Sequence, residues 1–64
     1  MYKREKTCKC IEDLTRNDLQ FHKGREYQVD VYAHCYQIYQ NGGWQDSIVI
    51  SAEYEFSKYF KLIE

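Results

Sequence analysis

The chain has 64 residues, with nine basic and ten acidic side chains for a net charge of −1, and three cysteines. That length fits one domain, residues 1–64, and the near-neutral charge argues against a protein built mainly to neutralise phosphates. An odd cysteine count fits a reduced thiol compartment better than a disulfide framework.

A domain this small buries only about 60% of its unfolded surface, so its core must be dense in large side chains. Seven tyrosines, three phenylalanines and one tryptophan supply them. Each buried ring removes on the order of 150–250 Å² from water. Disordered chains lack this aromatic and β-branched content, so this chain is expected to fold.

The start, Met1 to Lys6, leads into no apolar stretch, and no signal peptide is expected. No apolar run approaches the roughly 20 residues that cross a bilayer. A cytoplasmic location follows, the host's cytoplasm if the protein is viral. Lys3, Arg4, Lys6 and Lys9 form a short basic lead, read as solvated surface before the first strand.

Residues 6–12 alternate in polarity around Cys8 and Cys10, which predicts a first strand with both thiols on one face. From Asp13 to Lys23 the alternation breaks, and a loop is expected with Leu19 and Phe21 tucked beneath it. Arg25 to Val31 carries the clearest strand pattern: Tyr27, Val29 and Val31 face one way, and Glu26, Gln28 and Asp30 the other. Tyr36 and Ile38 have the opposite parity. A side chain cannot change face along an unbroken strand, so a turn or bulge must lie between Tyr32 and Cys35.

Asn41, Gly42 and Gly43 read as a tight hairpin turn. They join a strand ending near Gln40 to one running from about Trp44 to Ser51, with Ile48, Ile50 and Trp44 pointing inward. At the C-terminus, Ala52, Phe56, Tyr59, Phe60 and Ile63 fit helical spacing, with Ser51 as N-cap and Glu53 and Glu55 in the first turn. Phe60 and Leu62 also alternate as in a strand. The expectation is a helical turn over 52–57 and a closing strand over 59–63; the alternative is an α+β fold with a continuous helix over 52–63.

This layout resembles an SH3-like barrel: strand, long loop, two strands, tight hairpin, strand, helical turn, strand. The stretch Asp18-Leu19-Gln20-Phe21-His22-Lys23-Gly24 is similar to the acidic–Leu–x–Phe–x–x–Gly motif that leads into the second strand of SH3 domains. The resemblance implies a mainly β, five-stranded SH3-like barrel with one short helical turn. It does not imply proline-rich peptide binding. Ile11 to Leu14 stand where the groove tyrosines are expected, no tryptophan pair opens the third strand, and the chain contains no proline.

Looser similarity links the chain to short proteins of bacteriophages and mobile elements, on Lys9-Cys10-Ile11, Phe21 to Tyr27, and Tyr59-Phe60-Lys61-Leu62. Some of these bind and inhibit a host enzyme or a bacterial defence complex.

Catalytic chemistry finds little support. Cys8, Cys10, His34 and Cys35 could in principle hold zinc, but one residue between the first two cysteines is too few for usual structural sites. Adjacent His34 and Cys35 would point apart in an extended segment. Small core thiols are the better reading, and neither metal nor cofactor is expected. His22 and His34 lie in no nucleophile motif. The glycines at 42 and 43 lack the lysine and hydroxyl residue of a phosphate loop.

What remains is surface aromatic character. Tyr27, Val29, Val31, Tyr36, Ile38, Ile48, Ile50, Phe56 and Phe60 are assigned to the core. Tyr32, Tyr39 and Tyr54 are then left outside, among Asp13, Asp18, Asp30 and Asp46. Tyrosine is enriched at binding hot spots and also simply suits exposed strands.

The expected function is a non-enzymatic protein-binding module, a phage-encoded inhibitor or modulator of a host or bacterial defence protein with a basic surface. The alternatives are a single-strand nucleic-acid binder that stacks bases on exposed tyrosines, and a structural subunit that self-associates through a free sheet edge.

Overall fold

A computed structural model of the chain describes residues 3–41 and 43–63, with Trp44 described through its backbone alone. Strand β1 spans Arg4–Cys10, β2 Leu14–Arg16, β3 Leu19–Phe21, β4 Glu26–Val31, β5 Tyr36–Tyr39, β6 Ser47–Ile50 and β7 Phe60–Ile63. Helix α1 covers Glu53–Tyr59, and a 3-10 turn covers Trp44–Asp46. Five strands form one antiparallel sheet in the order β6-β5-β4-β1-β7, and β2 pairs with β3 as a separate hairpin.

The mainly β class and the five expected strands are present. The closed barrel is not. β6 and β7 pair with β5 and β1 respectively and not with each other, so the sheet stays open between them. The chain goes from one edge strand to the other through α1.

β1 is an interior strand, bonded to β4 from Arg4↔Val31 to Lys9↔Glu26 and to β7 from Thr7↔Ile63 to Cys10↔Phe60. The pleat divides its side chains. Cys8 and Cys10 face inward with Tyr27, Val29, Ile38, Ile48, Ile50 and Phe60, all buried. The parity change before Tyr36 resolves as a chain reversal: the Tyr32 N–H donates to the Cys35 carbonyl at 2.9 Å, and Val31 then lies opposite Tyr36.

Residues 13–23, expected as loop, contain the β2–β3 hairpin. Its two linking residues, Asn17 and Asp18, both have positive φ, 53° and 64°. That is the backbone a two-residue turn needs to match strand twist, and Asn and Asp tolerate it. The hairpin folds over the sheet and delivers Phe21 to the core at 1% exposure, with Leu19 half-buried beside it. Gly24, at φ +93°, then turns the chain into β4 while its N–H bonds the Cys10 carbonyl at 2.8 Å.

The β5–β6 connection is longer than a tight turn. Gln40 donates its N–H to the Asp46 carbonyl at 2.7 Å, and the Asp46 N–H bonds the Gly43 carbonyl at 2.9 Å. These two bonds close the connection, and β6 begins at Ser47, later than expected. The expected positions of Gly42 and of the Trp44 side chain fall outside the described residues.

The C-terminus is a helix followed by a closing strand, as expected, with the helix longer than 52–57; the alternative of a continuous helix over 52–63 is overturned, because Phe60–Ile63 pair with β1. The helix runs two turns and stops at Tyr59. It is preceded by Ala52, which makes no side-chain cap, where Ser51 was expected in that role. Phe60 leaves the helix at φ −137°, ψ 154°, still donating its N–H to the Phe56 carbonyl, and pairs with Cys10.

Aromatic rings knit these pieces together. Phe21, Tyr27 and Phe60 meet edge to face with centroids 5.0–6.5 Å apart. Phe56 stacks on Tyr36 at 3.9 Å and on Phe60 at 5.7 Å. The Tyr27 hydroxyl accepts the His22 N–H at 2.9 Å, tying the strand to the end of the loop.

Truncation of Phe60 to alanine is expected to cost about 3–5 kcal/mol, enough to unfold most of a domain this size, whereas Tyr54→Ala at an exposed helix position is expected to stay within about 0.5 kcal/mol. Chemical denaturation of the two variants measures the contrast. No atom lies within 4 Å of where a Cβ at Gly24 would stand, so Gly24→Ala carries only the left-handed backbone cost, about 1–2 kcal/mol.

Candidate binding face

The outer face of the sheet gathers part of the expected surface. On β1 it carries Glu5, Thr7 and Lys9, with Lys3 just before the strand; on β4 Glu26, Gln28 and Asp30; on β5 Gln37 and Tyr39; on β6 Ser47 and Val49. Asp30 sits in the middle of it, opposite Glu5 on one side and Gln37 on the other.

Asp30 corrects the expectation most sharply. It does point away from the apolar core, as its parity requires, but it is only 1% exposed and cannot serve as a surface acid. The reason lies on the neighbouring strands. The Tyr39 hydroxyl donates to Asp30 Oδ2, and Lys3 Nζ reaches the same oxygen at 3.4 Å. Both polar tips meet the carboxylate, which is almost fully withdrawn from water. Oδ1 has no hydrogen-bond partner among the described residues.

The charge at this site acts on its partners. Tyr39 is pushed up from 10.0 to about 12, first by the hydrogen bond it gives Asp30, then by loss of solvent and by the carboxylate's charge. Lys3 is raised by the same acid, chiefly through their hydrogen bond. A second chain of contacts runs alongside: the Tyr32 hydroxyl approaches Gln37 Oε1 at 3.4 Å, and Gln37 Nε2 donates to Ser47 Oγ at 2.9 Å. Tyr32 and Tyr39 are both half-buried, their rings held by these polar tips.

The remaining expected residues are dispersed. Asp13 is exposed and accepts the Lys23 N–H at 2.7 Å, closing the base of the loop. Asp18 is exposed in the β2–β3 turn. Asp46 is half-buried in the 3-10 turn. Tyr54 is 83% exposed on α1. The structure therefore brings Tyr32, Tyr39 and Asp30 together and leaves Asp13, Asp18, Asp46 and Tyr54 in other places. Sequence reasoning missed Glu5, an exposed acid directly opposite Asp30; strand register, which the sequence does not state, is what puts it there. Glu5 and Glu26 line an open depression of about 640 Å³ over β1 and β4, with Lys6, Thr7, Tyr27 and Gln28.

The thiols sit apart from this face. Cys8 and Cys10 are fully buried, and all three cysteines are free. Burial pushes Cys8 up from 9.0 to about 12 and raises Cys10, whose Sγ–H donates to the Glu12 carbonyl at 2.9 Å. They are protonated core residues at neutral pH. His34 is exposed and Cys35 half-buried, both in the β4–β5 turn. No group of three or more metal-ligating side chains converges among the described residues. Within the same residues, no helix is long and apolar enough to cross a membrane.

A phenol whose pKa is higher in the folded than in the unfolded chain favours folding while it is protonated. For Tyr39 that contribution is whole below pH 10.0 and is lost as pH climbs towards about 12. Tyr39→Phe should flatten this part of the alkaline stability profile, leaving the parallel decline from Cys8, which begins near pH 9.0. At pH 7 the same variant should cost about 1–3 kcal/mol, because a buried acceptor loses its donor. Denaturant titrations across pH measure both.

Comparison with protein-family models, with curated proteins and with solved structures finds no match for this chain.

Proposed function

We propose that this chain is a non-enzymatic protein-binding module on an SH3-like scaffold, and that its outer sheet face engages a partner protein. The strand order β7-β1-β4-β5-β6, with a folded-back hairpin between β1 and β4, supports the scaffold. The observation that carries the function is the pinned pair Tyr32 and Tyr39, with Glu5 exposed among them and Asp30 beneath. Rigid aromatic area with a polar tip loses little freedom on binding, which is what hot-spot tyrosines offer.

The setting implied by the resemblance to short phage proteins is the cytoplasm of a bacterial host, where the target is a host or defence protein. Lys3, one of the four basic residues at the N-terminus, is engaged by Asp30. That leaves less free charge for a nucleic-acid backbone.

Affinity capture from bacterial lysate, comparing the native chain with a Glu5→Lys, Tyr32→Ala double variant, tests the reading. Both positions lie outside the core, so the variant is expected to fold. A protein enriched by the native chain and lost with the variant is the expected outcome. Capture unaffected by the variant, or tight oligonucleotide binding that weakens steeply with salt, would refute it.

A further inference from the structure

The large sheet has two edge strands, β6 and β7. Outward backbone groups on an edge invite another strand to pair, and a charged side chain on the edge discourages it. β7 carries such a charge in its own sequence, Lys61. β6 does not. Its residues, Ser47-Ile48-Val49-Ile50, are a serine and three β-branched apolar side chains, and Val49 is 52% exposed. Taken alone, β6 is the edge more open to addition.

What stands at β6 comes from another part of the chain. Arg16, the last residue of β2, places Nη1 3.5 Å from the Val49 carbonyl. β6 has β5 on one side only, with Val49 opposite Gln37. An antiparallel strand turns its backbone groups alternately toward and away from its neighbour. A carbonyl that a side chain from outside the sheet can reach is one turned away from β5. The guanidinium therefore occupies the place from which the N–H of an added strand would approach.

Two contacts hold Arg16 there. Its Nη2 is ion-paired to Glu55 Oε2 of α1. The hairpin that carries it is tied down through its other strand, where the Gln20 carbonyl accepts Gln40 Nε2 at 2.8 Å. Neither Arg16 nor Glu55 belongs to the apolar core, and each is about one-third exposed, at 34% and 33%. An ion pair that exposed contributes little to stability. Its effect is to fix where the guanidinium stands.

The strand it excludes is the β6 of a second copy. Antiparallel pairing of two β6 strands about Val49 would set Val49 against Val49, Ile48 against Ile50 and Ser47 against Ser51, with no charges opposed. The same pairing of β7 about Lys61 would set lysine directly against lysine, which is unfavourable. β6 is thus the edge on which this chain matches itself.

We propose that Arg16 guards the β6 edge against pairing with a second copy of the chain, and that Glu55 is the residue that positions it. The guard is separate from the tyrosine face, and the inference stands or falls independently of that reading.

Sedimentation velocity on the full chain across a concentration series tests it. The native chain should remain monomeric where Arg16→Gln associates. The variant's self-association constant should exceed the native one by about ten-fold or more, because a two-fold pair is freed of two guards at once. Glu55→Gln, which keeps the arginine without its anchor, should give a smaller rise. Val49→Lys added to Arg16→Gln returns a charge to the edge and should restore the monomer. An Arg16→Gln chain that associates no more than the native one would overturn the proposal. So would association that Val49→Lys fails to reverse, since the contact would then lie elsewhere. Circular dichroism reports whether each variant is folded; were Arg16→Gln to unfold, Glu55→Gln with and without Val49→Lys decides by the same two comparisons.

Discussion

Phe60 is where the architecture converges. Its ring touches Phe21 from the β2–β3 hairpin, Tyr27 from β4 and Phe56 from α1. Its backbone closes the helix onto Phe56 and opens the strand that pairs with Cys10. A sheet with an open side cannot bury its inner face by pairing alone. Here the hairpin and the helix cover that face, and this one side chain touches both. Aromatic pairs in such geometry each add about 0.5–1.5 kcal/mol beyond the area they bury, a large share of what a domain of this size can hold in reserve.

The same pleat that fills the core creates the outer face. Asp30 follows Val29, and its direction is dictated by its neighbour's. Tyr39 and Lys3 meet the acid, which is withdrawn from water, and a buried charge is tolerated only when its partners stay in place. The consequence is a face whose tyrosines are held in place. Their hydroxyls are committed to Asp30 and Gln37.

Edge management completes the picture. Arg16 reaches the β6 edge only because the β2–β3 hairpin folds back across the molecule and Glu55 holds the guanidinium there. Among the described residues β7 pairs with β1 alone, and Lys61 stands on that edge strand. Helix α1 therefore serves two ends: it links the two edge strands and it supplies Phe56 to the core.

The period-two runs around Cys8, Tyr27, Ile38 and Ile48 were legible because half-buried strands write their burial into alternation. The reversal before Tyr36 was legible for the same reason, as a parity that no single strand could keep. The β2–β3 hairpin was not, since its strands are only three residues each, too short for alternation to show, and its turn is marked only by two residues suited to positive φ, Asn17 and Asp18. Alternation along the chain was enough for the mainly β class, the aromatic core and the facing of residues in the strands of the large sheet. The folded arrangement of distant strands was needed to bury Asp30, to set Glu5 opposite it and to bring Arg16 to the β6 edge. Facing is a property of a residue and its neighbours along the chain; burial, register and edge exposure depend on which distant strands come to lie alongside.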